Sequence, residues 1–164
     1  MDRSPTAVAE AFREVMAGVA TPVSVVTTLT GGGPHGTTVS AFASLSMAPP
    51  MVLVSLDRGS DLLAVVRATG RFGVNVLSRS QHALASAFAR KGADKFDGVP
   101  WTLDCGVPRI EGAPGWLACE VTRLVPGGDH VVAMGTVVEA ETRPADPLTY
   151  HSRTFGTHTP LPAR

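Results

Sequence analysis

Residues 36–50 read GTTVSAFASLSMAPP, and between Thr37 and Ser46 they carry five hydroxyl side chains. Taken alternately, Val39, Ala41, Ala43, Leu45 and Met47 form a small apolar face, and Thr38, Ser40, Phe42, Ser44 and Ser46 form the other. A period of two predicts a β-strand. Solvent-facing strands usually carry Lys, Glu or Arg, and this one carries none. Its neutral face suits a flat, largely uncharged ligand rich in acceptors, because short hydroxyls and strand-end N–H groups reach a ring from its edge. The general preference of Thr and Ser for strands accounts for the composition equally well.

Outward from this stretch, the β-branched run Val23–Thr30, then Gly31-Gly32-Gly33-Pro34, predicts a preceding strand and a hairpin. Pro49-Pro50 ends the opening strand, and Met51–Asp57 (MVLVSLD) is apolar enough to be central. Ser60 caps a short helix, DLLAVVRAT; FGVNVLS is the next strand, and SQHALASAFAR is a second helix capped by a serine. Brief strands follow near Trp101–Leu103 and Pro108–Ile110. WLACEVTRLV and HVVAMGTVVEAET then form two long antiparallel strands joined by Pro126-Gly127-Gly128-Asp129. At the N-terminus, Ser4-Pro5 reads as a cap and first turn, followed by Val8, Phe12, Val15, Met16 and Val19 at helical spacing, with Gly18 near the stop. The pattern is a mainly β protein: an antiparallel barrel of six or seven strands with small helices at its ends, one domain over residues 1–164.

Composition narrows the function. The 164 residues carry 14 basic and 14 acidic side chains, no net charge and a pI near 7.0, which leaves no footprint for nucleic acid or an anionic membrane. An apolar fraction of 44% with only 17% charged residues suggests a face covered by another subunit. No apolar run is long enough to span a bilayer, and no secretory signal opens the chain. Cys105 and Cys119 fit no CxxC site or disulfide framework, so both are expected buried and inert in a reducing cytoplasm. Trp101 and Trp116, without local polar partners, are assigned to the core or a subunit interface.

Several chemistries are excluded. GGGPHGTT approaches the phosphate-loop pattern, but Thr37 stands where its lysine belongs and a strand follows where a helix should. There is no GxGxxG and no GxSxG. His35, His82, His130, His151 and His158 lie on separate elements without ligand spacing, so no metal site is expected.

The ordered set HGTTVSAFASLSMAPPMVLVSL, FGVNVL, FARKGADKF, GDH and YHSRTF resembles the short-chain flavin reductases, over nearly the whole chain from Phe12 to Phe155. These are the reductase partners of two-component flavin-dependent monooxygenases. The resemblance implies an FMN-binding split β-barrel, a cytoplasmic homodimer, and hydride transfer from NADH or NADPH to FMN or FAD for a partner oxygenase. It implies that Thr37, Thr38, Val39, Ser40 and Ala41 edge the flavin ring, with Ser55, Leu56 and Asp57 on its other edge. Ser60 and Asp61 would lie along the ribityl chain and phosphate, and Arg90 would meet the phosphate. Gly128, Asp129 and His130 match the nicotinamide-side motif, with His130 the catalytic candidate. Tyr150, Arg153 and Phe155 match the closing segment on that side, against readings of C-terminal packing and solvated charge. Lys95 and Phe96 are weaker candidates. Many relatives carry two serines where this chain has Ser40-Ala41. If that contact is made by the backbone, little changes; if by a side chain, flavin is held more loosely, as suits a diffusible substrate. The competing reading is a barrel that keeps its flavin, as a carrier, a sensor or a direct reductase of another substrate.

Overall fold

The computed structural model describes residues 4–163. The chain runs α1 (Pro5–Ala17), β1 (Thr21–Pro22), β2 (Ser24–Thr30), β3 (Gly33–Val39), β4 (Phe42–Met47), β5 (Pro50–Asp57), α2 (Asp61–Thr69) and β6 (Arg71–Val76). A 3₁₀ turn at Arg79–Gln81 leads into α3 (His82–Ala89). Then come β7 (Trp101–Asp104), β8 (Val107–Ile110), β9 (Gly115–Gly127), β10 (His130–Thr142), β11 (Thr149–His151) and β12 (Thr154–Gly156). Three sheets result: β3-β2-β6-β9-β10-β5-β4, β7-β8, and β1-β11-β12. All named pairings are antiparallel.

The opening stretch is not one strand. It breaks at Ser40-Ala41, and its halves become the two opposite edges of the seven-stranded sheet. Three Cα–Cα steps separate Val39 from Phe42, at most roughly 11 Å, so the sheet must curl until its edges meet. The Ala41 carbonyl accepts from the Ser55 amide at 2.9 Å, while β3 and β4 are not laddered to each other. The sheet is therefore curled but not closed, its two edges joined by the chain and left split along a seam. The break also ends the expected alternation. Val39 is buried, but Ala41, Ala43, Leu45 and Met47 are exposed, Met47 by 83%.

Inside the curled sheet, Val26, Val39, Val52, Val54, Leu56, Phe72, Val74, Val131 and Ala133 form one core, plugged by Leu62, Leu63 and Val66 of α2. Val25 on the other face of β2 packs with Ala85 and Phe88 of α3, Leu77, Ile110 and Leu148. Burial on both faces explains why β2 reads as an uninterrupted β-branched run. The buried Asn75 amide donates to the Val25 carbonyl at 3.2 Å and its oxygen accepts from the Ile110 amide at 2.8 Å, tying the β7–β8 hairpin to the barrel.

Helix signals translate directly. The Ser4 and Ser60 hydroxyls accept from the Ala7 and Leu63 amides at 3.3 and 3.1 Å, as N-caps should. Ahead of α3 the cap is Ser78, two residues before the expected Ser80, where it opens the 3₁₀ turn and receives Gln81 back onto its amide at 3.0 Å. Trp116 is core, 1% exposed under the Arg109 guanidinium, 4.9 Å from its ring centre. Trp101 is half-buried beside Phe96. Cys119 is buried as expected, but Cys105 is exposed, which corrects the expectation for that thiol. It occupies the tight β7–β8 turn at φ 46°, too sharp a bend to sit within a core. No helix among the described residues is long and apolar enough to cross a membrane.

Candidate functional site

Residues 34–37 of the edge strand β3 line a cleft of about 440 Å³. Its other walls are the turn after β5 (Asp57, Gly59), the start of α2 (Ser60, Asp61, Leu62), the end of α3 (Ala89, Arg90), and residues 91–96. The floor depends on Gly36. A Cβ there would lie 2.7 Å from the buried Phe88 ring and 3.2 Å from Phe96, so only glycine lets the strand lie on these rings.

Lys95 joins the walls. Its Nζ donates at 3.1 Å to the Gly36 carbonyl on β3 and at 3.1 Å to the Phe88 carbonyl in the last turn of α3. Burial holds its ammonium below the ordinary lysine pKa, with the Asp61 charge pulling the other way. The Gly36 carbonyl thus points away from β2. Both main-chain groups of a residue in an antiparallel strand face the same side, so the Gly36 amide, and by alternation that of Thr38, lies on the unpaired strand edge. Arg90, Lys91 and Lys95, all at or after the end of α3, line the cleft, as do Asp57 and Asp61, and the Asp61 charge acts on Lys95. Neither Arg90 nor Lys91 has an ion-pair partner among the described residues.

Such a cleft joins a free strand edge, small residues and a cationic end. It fits an elongated ligand with a flat hydrogen-bonding ring and a phosphate. Residues 16–159 match the family model described as "Flavin reductase like domain". The chain belongs to that family.

Two relatives make the likeness concrete. Over 149 residues the chain is 38% identical to the reductase component of a 4-nitrophenol 4-monooxygenase/4-nitrocatechol 2-monooxygenase from Rhodococcus opacus, covering 91% of this chain and 80% of that protein. Over 158 residues it is 39% identical to an NADH:riboflavin 5'-phosphate oxidoreductase from Streptomyces pristinaespiralis, covering 93% and 89%. Among solved structures, the NADH:FAD oxidoreductase SgcE6 of Streptomyces globisporus C-1027, in complex with NAD and FAD fragments, superposes with a TM-score of 0.88 at 32% identity over 98% of both chains.

Within this flavin reductase domain, the cleft gathers Thr37, Asp57, Ser60, Asp61 and Arg90 from the expected set, together with Lys95 and Phe96. Thr38 is committed elsewhere, its hydroxyl donating to the Ala85 carbonyl of α3 at 2.6 Å. Val39 and Leu56 point their side chains into the core. Ser40, Ala41 and Ser55 sit at the seam, where the Ala41–Ser55 backbone bond closes the link. Gly128, at φ 64°, turns β9 into β10, and His130 pairs in register with Asp57 at the cleft rim. The His130 Nδ1 lies 2.8 Å from Asp129, and that contact chiefly holds the Asp129 carboxyl below its ordinary pKa.

Tyr150, Arg153 and Phe155 lie apart from the cleft. Phe155 packs on the core beneath α3, Tyr150 lies 5.2 Å from it, and Arg153 pairs with Glu14 of α1 at 2.6 Å. Sequence reasoning missed His35 and Gly36, whereas Lys91, beside Arg90 after α3, is legible in the sequence as a cation available to a phosphate. His35 was judged only as a metal ligand, and the contact between Gly36 and Phe88 spans 52 positions, beyond the reach of any local pattern.

Proposed function

We propose that this chain, acting as one domain, is an NAD(P)H:flavin oxidoreductase that reduces FMN or FAD and supplies it to a partner monooxygenase. The carrying observation is the cleft in which the free edge of β3 faces Arg90, Lys91 and Lys95. Flavin and nicotinamide supply the hydride chemistry; the chain supplies placement. The Gly36 and Thr38 amides hydrogen-bond the ring edge, Thr37 borders it, and Ser60 and Asp61 follow the ribityl chain. Arg90 and Lys91 meet the phosphate, while Lys95 holds β3 and α3 together beneath it. His130, beside Asp57, positions the nicotinamide over the reactive face. Hydride transfer between nicotinamide and flavin needs no side-chain nucleophile.

A homodimer in the cytoplasm belongs to this reading. None of the residues of α1 is buried, and Val8, Phe12 and Val15 form an exposed apolar stripe, Phe12 exposed by 63%. The hairpin bearing Tyr150, Arg153 and Phe155 is attached to α1 through Glu14 and through the Ser152 amide on the Ala17 carbonyl at 2.7 Å. A second copy covering this stripe brings the hairpin to the partner's nicotinamide side. Steady-state oxidation of NADH and NADPH with added FMN, FAD or riboflavin tests the reading. A flavin-dependent rate is expected, and oxidation that no flavin stimulates rejects it.

A further inference from the structure

The stretch GGGPHGTT is no phosphate loop, yet it places a histidine in the cleft. His35 lines the cleft, half-buried, and among the described residues its imidazole has no hydrogen-bond or ion-pair partner. His82, His130 and His151 each have a ring contact.

Strand alternation decides what His35 faces. Gly36 abuts the Phe88 ring and Thr38 donates to the Ala85 carbonyl, so that face of β3 belongs to α3. Val39 packs with Leu62 and Leu63, so the opposite face belongs to α2. His35 and Thr37 share the α2 face, where Ser60, Asp61 and Leu62 line the cleft.

Position along the strand is fixed as well. The cleft that contains Arg90, Lys91 and Lys95 is lined by residues 34–37 and by none of residues 38–41 at the seam. The Lys95 ammonium bonds the carbonyl of Gly36, the residue next to His35. The last turn of α3 lies under Gly36, with Arg90 directly after it. A ring held by the Gly36 and Thr38 amides therefore sends its phosphate chain past His35 toward these cations, away from the seam. The charged groups around His35 in the cleft are Asp57 and Asp61 on the α2 side, and Arg90, Lys91 and Lys95 at and beyond the end of α3. An imidazole N–H donates to a phosphate oxygen even when the ring is neutral, whereas the carboxylates only accept.

We propose that His35 donates to the flavin phosphate from the β3 side of the cleft, opposite Arg90, and so favours phosphorylated flavins over riboflavin. The inference rests on the flavin reductase reading. It adds a binding residue from the strand itself to the cations that follow α3.

The test compares the parent with His35→Leu and His35→Gln by fluorescence titration with FMN and with riboflavin. His35→Leu should weaken FMN about fivefold, the loss of one hydrogen bond to a charged group discounted for exposure. Riboflavin should stay within about twofold, and His35→Gln, which keeps an N–H donor, should lie between parent and His35→Leu for FMN. In steady state, KM for FMN should rise with the Kd in His35→Leu, while KM for NADH and kcat at saturating FMN change little. Unchanged FMN affinity in His35→Leu would overturn the proposal, as would an equal loss for FMN and riboflavin. A rise confined to KM for NADH would move His35 to the hydride donor and overturn it too. A parent that oxidises no NADH with any flavin refutes the reductase reading itself, whereas an active parent with unaffected variants refutes this inference alone.

Discussion

Lys95 reaches back to Gly36 across 59 positions, its Nζ donating to the Gly36 carbonyl at 3.1 Å. The same ammonium holds the Phe88 carbonyl, so one side chain fastens β3, α3 and the loop that carries Lys91. Replacing Lys95 by Met should weaken FMN binding about tenfold, through the lost charge and the loosened wall. Riboflavin, which lacks the phosphate, should lose less. Burial lowers the Lys95 pKa, so its charge is present below that pKa and lost at a lower pH than for an exposed lysine. FMN affinity, read by fluorescence titration, should therefore decline as pH approaches 10.5 from below in the parent, and stay flatter in Lys95→Arg.

Arg90 caps the end of α3 with extended backbone, its side chain lining the cleft. Arg90→Ala should raise the Kd for FMN roughly tenfold and leave riboflavin within about twofold, since only the former presents a phosphate to the guanidinium. Equal effects on both flavins would remove Arg90 from the phosphate.

His130 and Asp129 form an exposed pair at 2.8 Å beside the cleft rim. His130→Ala should lower kcat/KM for NADH about tenfold or more while FMN affinity changes little, the signature of a group that positions the second substrate. If FMN affinity falls as much as turnover, His130 belongs to the flavin side.

Much of this architecture is written locally. Ser4 and Ser60 cap helices where their sequence places them, and MVLVSLD is a central strand flanked by β4 and β10 because both its faces are apolar. The fate of GTTVSAFASLSMAPP is different. Its alternation persists through Ser40-Ala41, while the chain there leaves one sheet edge for the other. Period-two patterning records which way side chains point, not which strand lies alongside, and so the seam is invisible in it. The same applies to the cleft: Arg90 and Asp61 carry recognisable motifs, whereas the bonds of Lys95 and the packing of Gly36 exist only after α3 docks.

Gly36→Ala tests that packing. The new Cβ would sit 2.7 Å from Phe88, whose ring is fully buried and cannot yield. A loss of about 1–3 kcal/mol is expected from overpacking, measured by denaturant unfolding. An unchanged midpoint would show that β3 does not rest on the ring.

The thiols should separate cleanly. Burial pushes the Cys119 thiol up to about 12, so it should resist a thiol reagent at neutral pH until the protein unfolds. Cys105 is exposed, though desolvation and then Asp104 raise its pKa, so it should react in the native state and faster as pH rises. Two reactive native thiols would contradict the placement of Cys119 in the core.

Phe12→Asp on the exposed stripe of α1 should shift a homodimer toward monomer without unfolding it, since the residue touches no core of its own chain. Sedimentation velocity at several concentrations reads this directly; a parent that is monomeric throughout contradicts the dimer.

On the proposed function, the cleft holds a flavin for reduction by a nicotinamide nucleotide. Anaerobic mixing of the protein with FMN and NADH, followed by absorbance, tests it most directly. Bleaching of the flavin in step with NADH loss, one for one, is expected, and it should be severely slowed in Arg90→Ala at limiting FMN. NADH that persists beside oxidised flavin, with the protein folded and FMN and FAD each tried, would contradict it.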